Sequence, residues 1–238
     1  MGKLRLTRHY RGFFVELLII IAVLGFSVDS FAHGTALPYT VDIVYIVDVS
    51  GSMEQTDSEH FVRDALKLGI DLAPENSRVA IVAVSDRVVF ETGLTDVSRP
   101  YGRHYLKEHV RRLQNRGNTD FTLGFMRALE ILQASDAAHR RIIFLGDFIE
   151  GGHNVGRSAE AVQAVNRIGD ISFRANTLGV AIDMILWENE PTGSVTARYF
   201  LELPQNTGGS LIRLTNPGDS PAHIENVYFQ NFEYKHFF

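Results

Sequence analysis

An aspartate and two serines stand at alternate positions, Asp48, Ser50 and Ser52 in VDVSGSM, directly after the unbroken apolar run DIVYIV. One carboxylate and two hydroxyls at the end of a buried run form a set of oxygen donors. Singly, an Asp or a Ser after a strand is a turn former or a helix cap. A second aspartate, Asp147, ends another apolar run in RRIIFLGD. The chain has no cysteine, which removes disulfides, thiolate catalysis and cysteine-ligated metals.

Positioning such residues requires a sheet. Apolar runs without polar alternation recur at 43–47 (IVYIV), 79–84 (VAIVAV), 142–145 (IIFL) and 178–182 (LGVAI). Runs of this kind belong to strands covered on both faces, as in parallel sheets. Helical patterns lie between them. The first is expected to open at Thr56, with Glu59 completing a capping box and Phe61, Val62, Ala65, Leu66, Gly69 and Leu72 on one face. Others are expected at 102–114, 121–133, 158–168 and 197–205. Only Ser85 and Asp86 separate VAIVAV from RVVFE, too few residues for a crossover, so 87–91 is expected to pair antiparallel at the sheet edge. The fold class is therefore α/β: a doubly wound, mostly parallel, Rossmann-like sheet with one antiparallel edge strand and helices on both faces. Ligands of such sheets bind beyond the carboxyl ends of the strands where the winding reverses, which places Asp48 and Asp147 on one rim.

Composition is that of a globular chain of one domain, with 45% hydrophobic and 21% charged residues among 238. Residues 1–32 combine a basic start (Lys3, Arg5, Arg8, Arg11) with the apolar run FFVELLIIIAVLGF and the small-residue site SVDSFA. This is the layout of a secretory signal cut after Ala32. The run, interrupted by Glu16, is short for a bilayer span of about 20 residues. RGFFVELLIIIAVLG also resembles a type IV prepilin leader, which would be cut after Gly12 and would keep its apolar helix. Either way the folded part is expected to be exported, with contact to a membrane only through an uncleaved N-terminal segment. Without residues 1–32 the chain has 19 basic and 26 acidic side chains, a formal charge of −7. Nucleic acid, whose binding rests on neutralising phosphates, is set aside as a partner.

DVSGSM resembles the Asp-x-Ser-x-Ser motif of von Willebrand factor type A domains, whose donors form a metal-ion-dependent adhesion site. The family adds a threonine from a loop before a helix and an aspartate after the central strand. RGNTDFTLG supplies Thr119 and FLGDFIEGG supplies Asp147. FLELPQNTGGSLIRL is similar to the family's closing helix, glycine turn and last strand, so the resemblance covers about 41–215. Where the family commonly has a hydroxyl residue before the final aspartate and a glycine after it, this chain has Gly146 and Phe148. The resemblance implies a metal set of Asp48, Ser50, Ser52, Thr119 and Asp147. An all-oxygen set suits a hard cation, Mg²⁺ first, with Mn²⁺ or Ca²⁺ as substitutes. It also implies a partner protein that offers a Glu or Asp carboxylate to the metal. The organisation expected is a leader or anchor at 1–32, a linker at 33–40, the domain at 41–216 and an aromatic-rich C-terminal helix or tail at 217–238.

Other readings carry less. A phosphatase of the haloacid dehalogenase type needs a second aspartate where Ser50 stands, and SGSM lacks the flanks of a nucleophile elbow. The chain is therefore expected not to be an enzyme, with a metal-dependent hydrolase as the remote alternative and a pilus-associated subunit as the nearer one. YGRHYLKEHVRRLQNRG is read as a solvated basic helix face. NVYFQNFEYKHFF follows a Ser220–Pro221 start expected to open a helix that packs through Ile224, Val227 and Tyr228.

Overall fold

The long apolar runs become the middle strands of one sheet. The computed structural model describes residues 40–147, 159–187, 195–214 and 222–224, all within a compact unit running Pro38–Phe238. The expected leader at 1–32, Phe148, Ser220, Pro221, Val227 and Tyr228 lie outside the described residues. In chain order the elements are β1 (Val41–Asp48), α1 (Met53–Thr56), α2 (Phe61–Leu72), β2 (Ser77–Val84), β3 (Val88–Glu91), β4 (Thr95–Asp96), α3 (Pro100–Arg111) and α4 (Phe121–Gln133). There follow β5 (His139–Asp147), α5 (Ala159–Leu178), β6 (Val180–Trp187), α6 (Val195–Leu201), α7 (Leu203–Thr207) and β7 (Leu211–Leu214).

The sheet order is β3-β2-β1-β5-β6-β7, with β4 also paired to β2. Strands β2, β1, β5, β6 and β7 are parallel, while β3 and β4 run antiparallel along the same edge of β2. The architecture is thus α/β and doubly wound, with the expected antiparallel edge extended by the two-residue β4. Because β1 has β2 on one side and β5 on the other, the winding reverses at β1, and its carboxyl end opens on the crevice.

Strand alternation splits the core into two layers. Ile43, Tyr45 and Val47 of β1 pack with Val62, Leu66 and Ile70 of α2 and Leu106 and Val110 of α3. Val44 and Ile46 pack on the other face with Phe125 and Leu129 of α4, Ile171 of α5 and Phe200 of α6. Buried ion pairs tie the strands at fixed register. Arg141 of β5 donates through Nε and Nη2 to Asp183 Oδ2 of β6 at 2.9 and 2.6 Å, and the Ser210 amide donates to Asp183 Oδ1 at 2.9 Å. Ile224 is fully buried and packs in the α2 layer, as expected for the segment after Pro221.

Several boundaries differ from those expected, each for a local reason. Thr56 does not open a helix: it is the last residue of the short α1. Helix α2 starts at Phe61 after His60, whose φ is 60°, and Asp57 accepts from the amides of Phe61 and Val62 at 2.7 and 3.2 Å. Asp57 thus does the capping work assigned to Thr56. Helix α4 begins where expected, with Asp120 capping it by accepting from the Thr122 amide at 3.1 Å. LGVAI is not all strand, since α5 runs on to Leu178 and Gly179, at φ +64°, turns the chain into β6. The basic helix α3 spends its charges locally. Arg103 donates to the carbonyls of Ile70, Asp71 and Ala73 at the end of α2, and Lys107 pairs with Asp71.

Candidate metal centre

The donors expected to hold a cation lie where β1 and β5 end side by side. The pairing Val47↔Leu145 places the next two residues, Asp48 and Gly146, beside each other. A Cβ on Gly146 would lie 2.6 Å from Asp48 Cβ and 2.9 Å from Phe144 Cζ. The hydroxyl residue that the family commonly carries before the final aspartate is therefore excluded here by the bulk of Phe144 beneath. Asp48, Ser50 and Asp147 are buried, while Ser52 is partly open.

A chain of hydrogen bonds joins them. The Ser50 amide donates to Asp48 Oδ1 at 2.7 Å, closing a tight turn at the strand end. Ser50 Oγ and Ser52 Oγ are 3.0 Å apart, and Ser52 Oγ donates to Asp147 Oδ1 at 3.1 Å. A hydroxyl has one proton, so Ser52 spends its own on Asp147 and receives the one from Ser50. Each serine oxygen keeps lone-pair capacity that no donor among the described residues takes up.

Thr119 reaches the rim on a separate loop, and backbone contacts hold that loop in place. Arg116 N donates to Val49 O at 2.7 Å, Gly51 N to Gly117 O at 2.9 Å, and Asp120 N to Ser85 O at 2.7 Å. The close approach requires little bulk on either side. A Cβ on Gly51 would stand 3.2 Å from Gly117 O, and Gly117 itself has φ +84°. Arg167 of α5 donates to Asp120 Oδ2 at 2.9 Å, fixing the residue next to Thr119. Beneath, the Phe121 ring meets Phe144 edge-on with centroids 5.0 Å apart, joining the start of α4 to the strand that ends in Asp147. Thr119 is partly buried and makes no hydrogen bond to the other four residues. Four of the five predicted residues are thus linked directly, and Thr119 stands on the loop whose backbone bonds to Val49, Gly51 and Ser85.

Thr56 belongs to this cluster and sequence reasoning missed it. Its Oγ1 lies 2.6 Å from Asp147 Oδ2. The available signal was the spacing: a hydroxyl four residues after Ser52 falls on the same side of a helical turn.

Electrostatically the centre is uncomfortable without a cation. Asp48 Oδ2 is buried and has no hydrogen-bond partner among the described residues. Burial, and then repulsion from Asp147, push the Asp48 carboxyl well above the usual carboxylate range. A buried acid with a raised pKa costs stability wherever it is ionised, and that cost is relieved as pH falls through the raised value. Asp57, also raised by burial, acts in the same direction. Glu91 and Asp136 are held low by Arg127 and Arg78, and their contributions are lost only at more acidic pH. In chelator, the melting temperature is therefore expected to rise as the buffer is acidified from neutrality through the raised carboxyl range, and to fall again at more acidic pH where Glu91 and Asp136 take up protons. Thermal melts across that range check it, and a monotonic fall from neutrality would contradict it.

The donor set fits a hard divalent cation. Among the described residues no group of three or more His, Asp or Glu converges as a metal site. What converges is two carboxylates and the hydroxyls of Ser50 and Ser52, with Thr119 on the adjoining loop, which suits an oxygen-seeking ion and not a soft metal. The unpartnered Asp48 Oδ2 is the acceptor such an ion would satisfy.

Residues 43–150 match the family model of the von Willebrand factor type A domain. Solved structures of similar fold include von Willebrand factor type A from Catenulispora acidiphila, at TM-score 0.64 and 19% identity over 79% of this chain and 42% of that one. The fold is that of a von Willebrand factor type A domain. The pilus adhesin SpaC from Lactobacillus rhamnosus GG, in its open conformation, is similar at TM-score 0.61 and 14% identity, over 81% of this chain and 30% of that one. The PilB minor pilin from Streptococcus sanguinis is similar at TM-score 0.59 and 14% identity, over 82% of this chain and 62% of that one. This chain thus spans less than two thirds of each of these proteins. No curated protein matches the chain. Within this type A fold, the cluster of Asp48, Ser50, Ser52 and Asp147 occupies the carboxyl-end crevice. No helix among the described residues is long and apolar enough to cross a membrane.

Proposed function

We propose that this type A domain is a binding module, not an enzyme. It would grip an acidic group of a protein ligand through a divalent cation, Mg²⁺ by preference, held by Asp48, Ser50, Ser52, Thr119 and Asp147. The observation that carries the reading is the buried Asp48 Oδ2, which lacks a donor within a cluster of hydroxyl oxygens. The serines are neutral ligands, and the Ser52 hydroxyl donates a hydrogen bond to Asp147, so the site offers a cation only the charge of its two carboxylates. A divalent ion bound there would supply a Lewis-acidic position for a partner's Glu or Asp carboxylate. Asp48 and Asp147 would orient the hydroxyls, and the Gly51–Gly117 contact would keep Thr119 on the rim. The likeness to a pilus adhesin and a minor pilin supports adhesion or assembly as the setting, and with it export to the cell envelope.

Calorimetric titration of Mg²⁺ and Mn²⁺ into the full chain, beside Asp48→Ala and Thr119→Ala, tests the reading. Saturable binding that Asp48→Ala removes and Thr119→Ala weakens is expected, and identical heats for all three would overturn it. A second reading draws on the same pilin likeness: the N-terminal helix is retained and the domain is displayed on a fibre as a pilus-associated subunit. N-terminal sequencing of the mature protein separates the two, giving His33 for a cleaved secretory signal and Phe13 for a processed pilin-like leader.

A further inference from the structure

We propose that Thr56 is a positioning residue for the cation site, its hydroxyl fixing the rotation of the Asp147 carboxylate. The inference rests on the divalent-cation reading of that site. Three acceptors surround the single Thr56 proton: Asp147 Oδ2 at 2.6 Å, Ser52 O at 3.1 Å and Met53 Sδ at 3.8 Å. The carboxylate is both the nearest and the strongest acceptor, so the proton belongs to Asp147. Ser52 supplies the other clamp, at Oδ1. With both oxygens assigned, the carboxylate plane is set, and Oδ1 stays turned toward the serine hydroxyls. Gly146, the residue before Asp147, has no side chain to help with this, and Phe144 and Asp48 leave no room for one.

The short helix α1 makes the contact a fixed one. Met53 is buried in the α2 layer, which anchors the turn. Ser52 and Thr56 bracket that turn, and one helical turn between them aims both hydroxyls at the same carboxylate. The competing account is local: a threonine at a helix end donating back to the carbonyl four residues earlier, with no bearing on the site. The two accounts differ in what a hydroxyl-free isostere does to metal affinity.

The experiment titrates Mg²⁺ alone into the full chain and into Thr56→Ser, Thr56→Val, Thr56→Ala and Asp48→Ala, with melting temperatures of each in chelator. Loss of a side chain that orients a metal ligand weakens metal binding by about 10- to 100-fold. That weakening is expected for Thr56→Val and Thr56→Ala, with affinity kept within about 2-fold in Thr56→Ser, whose hydroxyl can make the same bond. Mg²⁺ affinity in Thr56→Val and Thr56→Ala equal to the unsubstituted chain would overturn the proposal while leaving the cation reading intact. Equal weakening in Thr56→Ser and Thr56→Val would also overturn it, because the hydroxyl would then not be the active feature. If Thr56→Val melts early in chelator, Thr56→Ala, which adds no methyl in place of the hydroxyl, carries the comparison. Absence of any Mg²⁺ binding sensitive to Asp48→Ala would bring down the cation reading, and the proposal with it.

Discussion

Asp48→Asn is expected to abolish divalent-cation binding and at the same time to raise the melting temperature of the metal-free protein. The two effects have one cause. Asp48 is 1% exposed, its Oδ2 has no donor, and Asp147 stands close enough to push its pKa further up. An asparagine keeps an oxygen for the Ser50 amide, removes the like charge and brings a donor that Asp147 can accept. Relief of a buried like-charge contact of this kind is worth about 1–2 kcal/mol. Metal affinity should fall by about 100-fold or more, since even an outer partner of a ligand costs 10- to 100-fold and Asp48 carries the buried acceptor that a cation would satisfy. Calorimetry with Mg²⁺ and melts in chelator read both numbers. A less stable variant would show that Asp48 is not under electrostatic cost, and unchanged metal binding would remove it from the site.

Gly146→Ala is expected to damage both the fold and the site. The new methyl would meet Asp48 Cβ at 2.6 Å and the Phe144 ring at 2.9 Å, and neither is the loose end of a flexible side chain. Phe144 is wedged among Phe121, Phe125 and Phe200, with ring centroids 5.0 to 5.8 Å away, so it cannot retreat. Overpacking in such a place costs about 1–3 kcal/mol, and strand β1 would have to shift at Asp48 itself. A melting temperature lower by several degrees, with Mg²⁺ affinity reduced alongside, is the expected result. Gly169→Ala serves as the control. Its Cβ meets nothing within 4 Å on the exposed side of α5, and alanine is the better helix former, so the melt should hold or improve. Equal melts for Gly146→Ala and the unsubstituted chain would mean that the strand ends are looser than the distances imply.

Much of this was readable from residue order because several signals agreed at each place. Helix α4 runs Phe121–Gln133, the span that the apolar period indicates, because Asp120 caps it and Phe125, Leu129 and Leu132 share a buried face. The apolar runs of β1, β2 and β5 admit no other placement than the middle of a sheet. Helix α5 runs ten residues past the expected 158–168 span, across Gly169. Packing of Ile168, Ile171 and Ala175 carries the helix through to Leu178, a tertiary effect that local propensity does not contain. Strand β4, two residues long, has no pattern to detect. Within the site, the Asp-x-Ser-x-Ser spacing carries its own signature, whereas the four-residue step from Ser52 to Thr56 is masked by a competing one. A hydroxyl before an acidic residue three positions on reads as a capping box, and only the left-handed His60 and the Asp57 cap show that the helix begins later. The raised Asp48 carboxyl was equally invisible, since it depends on burial at the strand end and then on Asp147 arriving from 99 residues downstream through the β1–β5 pairing.

The position of Asp48 within β1 has a mechanical consequence. The strand begins at Val41 and ends at Asp48, so a pull applied at its start and a pull applied at the crevice would meet along eight covalently linked residues. A tether pulled from one end and a cargo pulled from the other would stretch a single length of backbone, laced on both flanks to β2 and β5 along its whole course. A load at the crevice would also enter β5 through Asp147 and the 116–120 loop through its backbone bonds to Val49 and Gly51.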